Sequence, residues 1–171
     1  MFKKLIMASM LSTLPLLAVE STGVVTKVTD SDTLSVMVGK SEEKVKILYI
    51  DVPAKNSTAK LNKDAKKLGI SPNDVTELGK LASDYASKFF KKGDSILIES
   101  DKKDQAGRML ATVSKNGVDY SNQMIKDGYA CIYKKAAYPG ELEKALKSAK
   151  EEKKGLWAIN YDVMNKLCKE N

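Results

Sequence analysis

Histidine is absent from this chain of 171 residues, which also carries only two cysteines, one tryptophan and four prolines. Without imidazole, every His-based catalytic triad and every His-containing zinc site is excluded. Two cysteines are too few for a Cys-only structural zinc site. In an oxidising compartment Cys131 and Cys168 are available to tie the C-terminal end to a strand, but their positions alone do not decide whether they pair. Acidic residues are also in deficit, 22 against 29 Lys and Arg, for a formal charge of +7. A basic balance suits a polyanionic partner, nucleic acid first, although a lysine-rich solubility surface gives the same count.

Long apolar runs are scarce. The exception is Leu5 to Leu17, which follows Lys3 and Lys4 and ends at the small Ala18. Interrupted by Pro15 and shorter than the roughly 20 residues of a membrane span, it is expected to be a signal peptide over residues 1–18. An uncleaved anchor is the alternative. Removing Lys3 and Lys4 takes the charge from +7 to +5, so the exported product stays basic. No cysteine lies near the cut to carry a lipid. The expected product is periplasmic or secreted, free of the membrane after signal removal, and a monomer.

What remains is rich in short alternating segments. Gly23 to Thr29, Thr33 to Val38 and Lys44 to Ile50 predict three strands, the first two joined by the turn residues Asp30-Ser31-Asp32. Pro53 stops the third. Ala54 to Val75 is lysine- and asparagine-rich and predicts a mobile loop, with a short helix near Ala59 to Leu68 before Gly69 and Pro72 break it. Thr76 to Lys92 predicts a helix with Leu78, Leu81, Ala82, Tyr85 and Phe89 on one face. Ser95 to Glu99 and Arg108 to Ser114 follow as strands, then a short helix over Tyr120 to Lys126, an extended piece over Tyr129 to Tyr133, and a helix from Pro139 to Lys154. Five short strands with a helix between the third and fourth fit an α+β, mainly β architecture: a five-stranded OB-type barrel with about three helices. The domain is expected over residues 22–158, with a C-terminal tail over 159–171.

Strand pairing should bring Asp32 and Asp51 to one end of this barrel. Two converging carboxylates repel unless a cation or a proton relieves them, so the pair is read as half of a metal site. The segments DSDTL, VKILYIDVP, DQAGRMLATV, a Gly-Tyr-Ala strand and KSAKEEKKGLW, in that order, resemble the thermonuclease (staphylococcal nuclease-like) family from about Thr22 to Trp157. Each motif is weak alone; five in order within one small domain are strong. The resemblance implies an OB barrel and a calcium-dependent phosphodiesterase that cuts DNA and RNA. It also implies roles: Asp32 and Asp51 as calcium carboxylates, the Val52 carbonyl as a further ligand, Arg108 as the guanidinium that steadies phosphate, and Asp30 as an acceptor behind the ligands. Tyr133 and Tyr138 are noted as surfaces on which bases could stack.

Three departures from the family pattern bear on turnover. Lys46 stands where the family has a second arginine, which keeps the charge and loses the two-pronged fork. Ala54 replaces the glutamate that activates or orients the attacking water, and losing a general base costs ~10²–10⁴ in rate. Ala106 replaces an aromatic in the charged turn before Gly107 and Arg108. The long loop offers Asp64, Asp74 and Glu77 as other carboxylates, each of which reads more readily as a solvated surface charge. Two functions follow: an exported calcium-dependent nuclease of reduced activity, or a catalytically inactive OB module that binds nucleic acid or another anion.

Overall fold

The alternating Val and Thr of Val19–Asp30 form β1, the longest strand, and the barrel is built outward from it on both sides. The computed structural model describes residues 19–170, so the leader expected over 1–18 lies outside the described residues. β1 pairs antiparallel with β2 (Thr33–Val38) along one edge and with β5 (Ser95–Lys103) along the other. β2 pairs with β3 (Ser41–Ile47), and β5 with β6 (Met109–Lys115). A parallel seam then closes the ring, Val45 lying beside Met109, Lys46 beside Leu110 and Ile47 beside Ala111. The result is a closed five-stranded mixed barrel of OB type, as the alternation predicts. Inward positions such as Val25, Leu34, Val36, Val45, Ile98 and Ala111 are completely buried, and along β3, β5 and β6 buried residues alternate with less buried ones. A short β7 (Val118–Asp119) continues beyond β6.

The third strand is shorter than its apolar run suggests. It stops at Ile47, Tyr49 takes a left-handed φ of 68°, and Ile50–Asp51 restarts as β4 in a separate two-stranded sheet with β8 (Cys131–Ile132). A bulky side chain at positive φ is costly and persists only where its surroundings impose it. Here Leu48 is held on both sides: its N–H donates to the Ala111 carbonyl at 2.9 Å, and its carbonyl accepts the Ser121 hydroxyl at 3.0 Å. The kink turns Asp51 off the barrel wall and lays it against Cys131.

Among the described residues six helices surround the barrel, against about three expected. The region read as a mobile loop contains α1 (Ala59–Leu68), in register with the short helix foreseen there. Thr58 caps it, its hydroxyl accepting the Leu61 N–H at 3.1 Å, and Gly69 ends it with φ 62°. Pro72, taken as a breaker, instead opens α2 (Pro72–Phe89), because a first-turn residue has no helical N–H bond to lose. α2 buries Val75, Leu78, Gly79, Ala82 and Ala86, while Leu81, expected inside, is exposed. The seam is shifted because Gly79 lies directly on the Ala54–Lys55 backbone, which a Cβ there would overlap. α3 (Tyr120–Lys126) is capped by Asp119, and α4 (Glu141–Glu151) packs on it.

Residues expected as a tail fold as α6 (Tyr161–Glu170), preceded by the short α5 (Leu156–Ile159). A disulfide joins Cys168 of α6 to Cys131 of β8. Two cores result. One fills the barrel; the other lies between α1, α2, α5 and α6 and contains Leu61, Leu78, Trp157, Met164 and both half-cystines.

Candidate active site

The turn between β1 and β2 carries two carboxylates with different surroundings. Asp30 Oδ1 accepts the Ser31 N–H at 2.8 Å and the Ser83 hydroxyl of α2 at 3.1 Å, with Lys55 Nζ at 3.7 Å. Its contacts are to the turn and to the helix behind it, which suits a supporting role. Asp32 is buried. Its Oδ1 accepts the Thr33 hydroxyl at 2.8 Å, and its Oδ2 is paired with Lys46 Nζ. The pairing follows from register: Lys46 lies opposite Thr33 on β3. Below the turn Tyr120, fully buried in the barrel, donates its hydroxyl to the Ser31 carbonyl at 2.8 Å. Burial pushes that phenol well above its ordinary range, so it remains a donor.

The end of β3 lies beside Asp32 and leads on to Asp51. The Asp32 carbonyl accepts the Ile47 N–H at 2.8 Å, and only the Leu48–Tyr49 kink and Ile50 separate Ile47 from Asp51. Asp51, Val52, Pro53 and Ala54 then form one wall of a cleft of about 540 Å³, whose lining also includes Tyr133. Tyr138 is elsewhere. Its hydroxyl donates to Glu143 Oε1 at 2.9 Å and its ring packs on the barrel core.

Arg108 opens β6, whose next residue, Met109, lies beside Val45, so the arginine and Lys46 are carried by adjacent strands. Its guanidinium is already held. Nε donates to Asp104 Oδ2 at 2.8 Å, Nη2 forms an ion pair with the same oxygen at 2.7 Å, and the Arg108 backbone N–H reaches Asp104 Oδ1 at 3.0 Å. These bonds, the backbone N–H first and the guanidinium second, hold the Asp104 carboxyl below the usual carboxylate range. One of five guanidinium donors is thus used to fix the plane of the others. Asp104, Ser83, Lys55 and Tyr120 were not singled out in the sequence. The D-x-x-x-R spacing of Asp104 and Arg108 was the one available signal.

The donor chemistry can be tested against a divalent ion. Asp32, Asp51 and the Val52 carbonyl offer hard oxygens only, the kind calcium takes, and a backbone carbonyl survives any side-chain change. Among the described residues no group of three or more Asp, Glu, Cys or His gathers into a complete cage, so water and substrate oxygens would have to fill the shell. Lys46 lies on the Asp32 oxygen such an ion would share. The residues fit calcium on condition that Lys46 leaves Asp32 for a phosphate.

Comparison with known proteins places the chain in a family. The family model described as Staphylococcal nuclease homologue matches residues 44–159. An uncharacterized protein of Bacillus anthracis is 33% identical over 151 residues, covering 84% of this chain and 64% of that protein. The chain therefore spans a little under two thirds of that relative's length. Two proteins named uncharacterized endonuclease, from Escherichia coli O157:H7 and Escherichia coli, are 24% and 23% identical over 145 residues, each covering 84% of this chain and 82% of the relative. With the matched segment spanning β3 to α5, and the barrel closed as that resemblance implies, the chain belongs to the staphylococcal nuclease homologue family.

Proposed function

We propose that this protein is an exported, monomeric, calcium-dependent nuclease that hydrolyses phosphodiester bonds of DNA or RNA, at a rate reduced by the loss of the family glutamate. The observation that carries the reading is the run of contacts at one end of the barrel: Asp32 on Lys46, Lys46 on the strand beside Arg108, and Asp51 at the end of the chain that leaves that strand. Asp32, Asp51 and the Val52 carbonyl would hold calcium, which supplies charge to offset the developing negative phosphate.

The protein's own groups have separable tasks. Arg108, oriented by Asp104, presents its remaining N–H groups to the phosphate oxygens, where they count most as charge builds. Lys46 exchanges Asp32 for a phosphate oxygen and neutralises it as a point charge, without a fork. Tyr133, on the rim of the cleft, offers a face on which a base stacks. Export is supported by the Cys131–Cys168 disulfide, since such bonds persist outside the reducing cytosol. Among the described residues, no helix is long and apolar enough to cross a membrane.

A second reading has its own support. Ala54 accepts no proton, so the same groove would serve an inactive OB module that holds nucleic acid or another polyanion. Incubation with single-stranded DNA, with calcium and with a chelator, separates the two. Calcium-dependent fragments support the nuclease; a mobility shift with intact strands supports the module. Asp51→Asn should weaken calcium binding, and unchanged affinity would remove Asp51 from the ligand set.

A further inference from the structure

The cleft that begins at Asp51 has a second wall, and it is α1. Leu61, Asp64 and Leu68 recur at helical spacing on one face of that helix, and all three, with Lys67, line the same cleft as Asp51 to Ala54. The helix is seated firmly enough to hold a position. Leu61 and Ala65 are buried, Leu61 within the second core, and Lys166 of α6 donates to the Gly69 carbonyl at 3.1 Å. The cleft lining carries two carboxylates, Asp51 and Asp64. Asp51 belongs to the oxygen set already described. Asp64 is exposed, so water reaches it, and it shares the cavity with the methyl of Ala54, which has nothing to give an attacking water. Asp74 and Glu77, the other acids of this region, are on α2 and are not part of the lining.

We propose that Asp64 is the general base of this enzyme and that α1 exists in the cleft wall to carry it. The proposal rests on the nuclease reading. A water oxygen forms a bond to phosphorus as the bond from phosphorus to the leaving ester oxygen breaks. The proton released by the water passes to an Asp64 carboxylate oxygen. The leaving oxygen takes a proton from solvent, and Asp64 returns its own to solvent afterwards. The base therefore comes from a different element than the segment following Asp51, and the geometry of attack is set by the docking of a helix.

The test uses the full chain, its Asp64→Asn and Ala54→Glu variants, and the double variant, each with single-stranded DNA in calcium. Calcium affinity by calorimetry and melting temperature are measured alongside kcat and KM. Asp64→Asn is expected to lower kcat by about 10²-fold or more, with KM, calcium affinity and melting temperature unchanged. Ala54→Glu in the Asp64→Asn background is expected to restore cleavage, since it supplies a carboxylate to the same cavity. Three results overturn the proposal: an Asp64→Asn rate within twofold of the parent, a rate loss matched by lost calcium affinity, or no rescue by Ala54→Glu. If the parent itself binds DNA and never cuts it, the nuclease reading fails and Asp64 has no reaction to serve. A parent that cuts with an indifferent Asp64→Asn removes this assignment alone.

Discussion

Asp104 and Arg108 show how a single side chain can decide the posture of another. The carboxylate fixes the guanidinium from behind, through one side-chain hydrogen bond, an ion pair and one backbone hydrogen bond. Asp104→Asn keeps the shape and loses the charge, so Arg108 should loosen and kcat should fall about tenfold. The sign with pH is defined. The Asp104 carboxyl is depressed in the folded protein, so its contribution to stability is present above the ordinary carboxylate range and lost as pH falls through the depressed value. Melting curves of parent and Asp104→Asn should therefore converge in strong acid and separate above it; parallel curves at all pH values would contradict the pairing. Asp32, Asp51 and Arg108 were legible in the sequence because their motifs are local. Asp104 was hidden among the other charges of its turn, and the Asp32–Lys46 contact depends on a strand register that no local pattern reports.

At the scale of elements, α2 and α6 hold the cleft from behind by different means. Gly79 lets α2 touch the Ala54–Lys55 backbone. Gly79→Ala gains helix propensity of about 1 kcal/mol, yet forces a main-chain shift that costs roughly 1–3 kcal/mol. The net expectation is a lower urea midpoint, together with altered cleavage because the displaced segment adjoins Asp51. An unchanged midpoint would mean that α2 moves aside freely. The disulfide fastens α6 to the strand that pairs with Asp51. Replacing both cysteines by serine should cost about 2–4 kcal/mol, read by urea unfolding. Trp157, the sole tryptophan, is buried in the same core as the two cysteines, so its emission should respond to the loss. Here the sequence was less informative. The short helix of α1 showed through its composition, but the docking of α6 depends on a cross-link between residues 37 apart in sequence. The broken third strand was masked because the apolar run continues through the kink.

For the molecule as a whole, charge and topology carry most of the behaviour. The excess of lysine and arginine predicts that affinity for single-stranded DNA falls by roughly tenfold between 50 and 200 mM salt if about three phosphates are neutralised; a flat response would mean that the basic surface does not meet the strand. The OB architecture was legible because alternation, turn residues and strand count all agree with one another. The pair of strands that closes it was not, since the parallel seam joins β3 to β6 across 61 residues of intervening chain. That seam has a mechanical meaning. A hoop of strands cannot be unzipped from a loose end, so the barrel gives way all at once or not at all. The helices hung on its outside are under no such obligation, and substitutions in them can reshape what the groove accepts and how fast it works while the frame beneath stays intact.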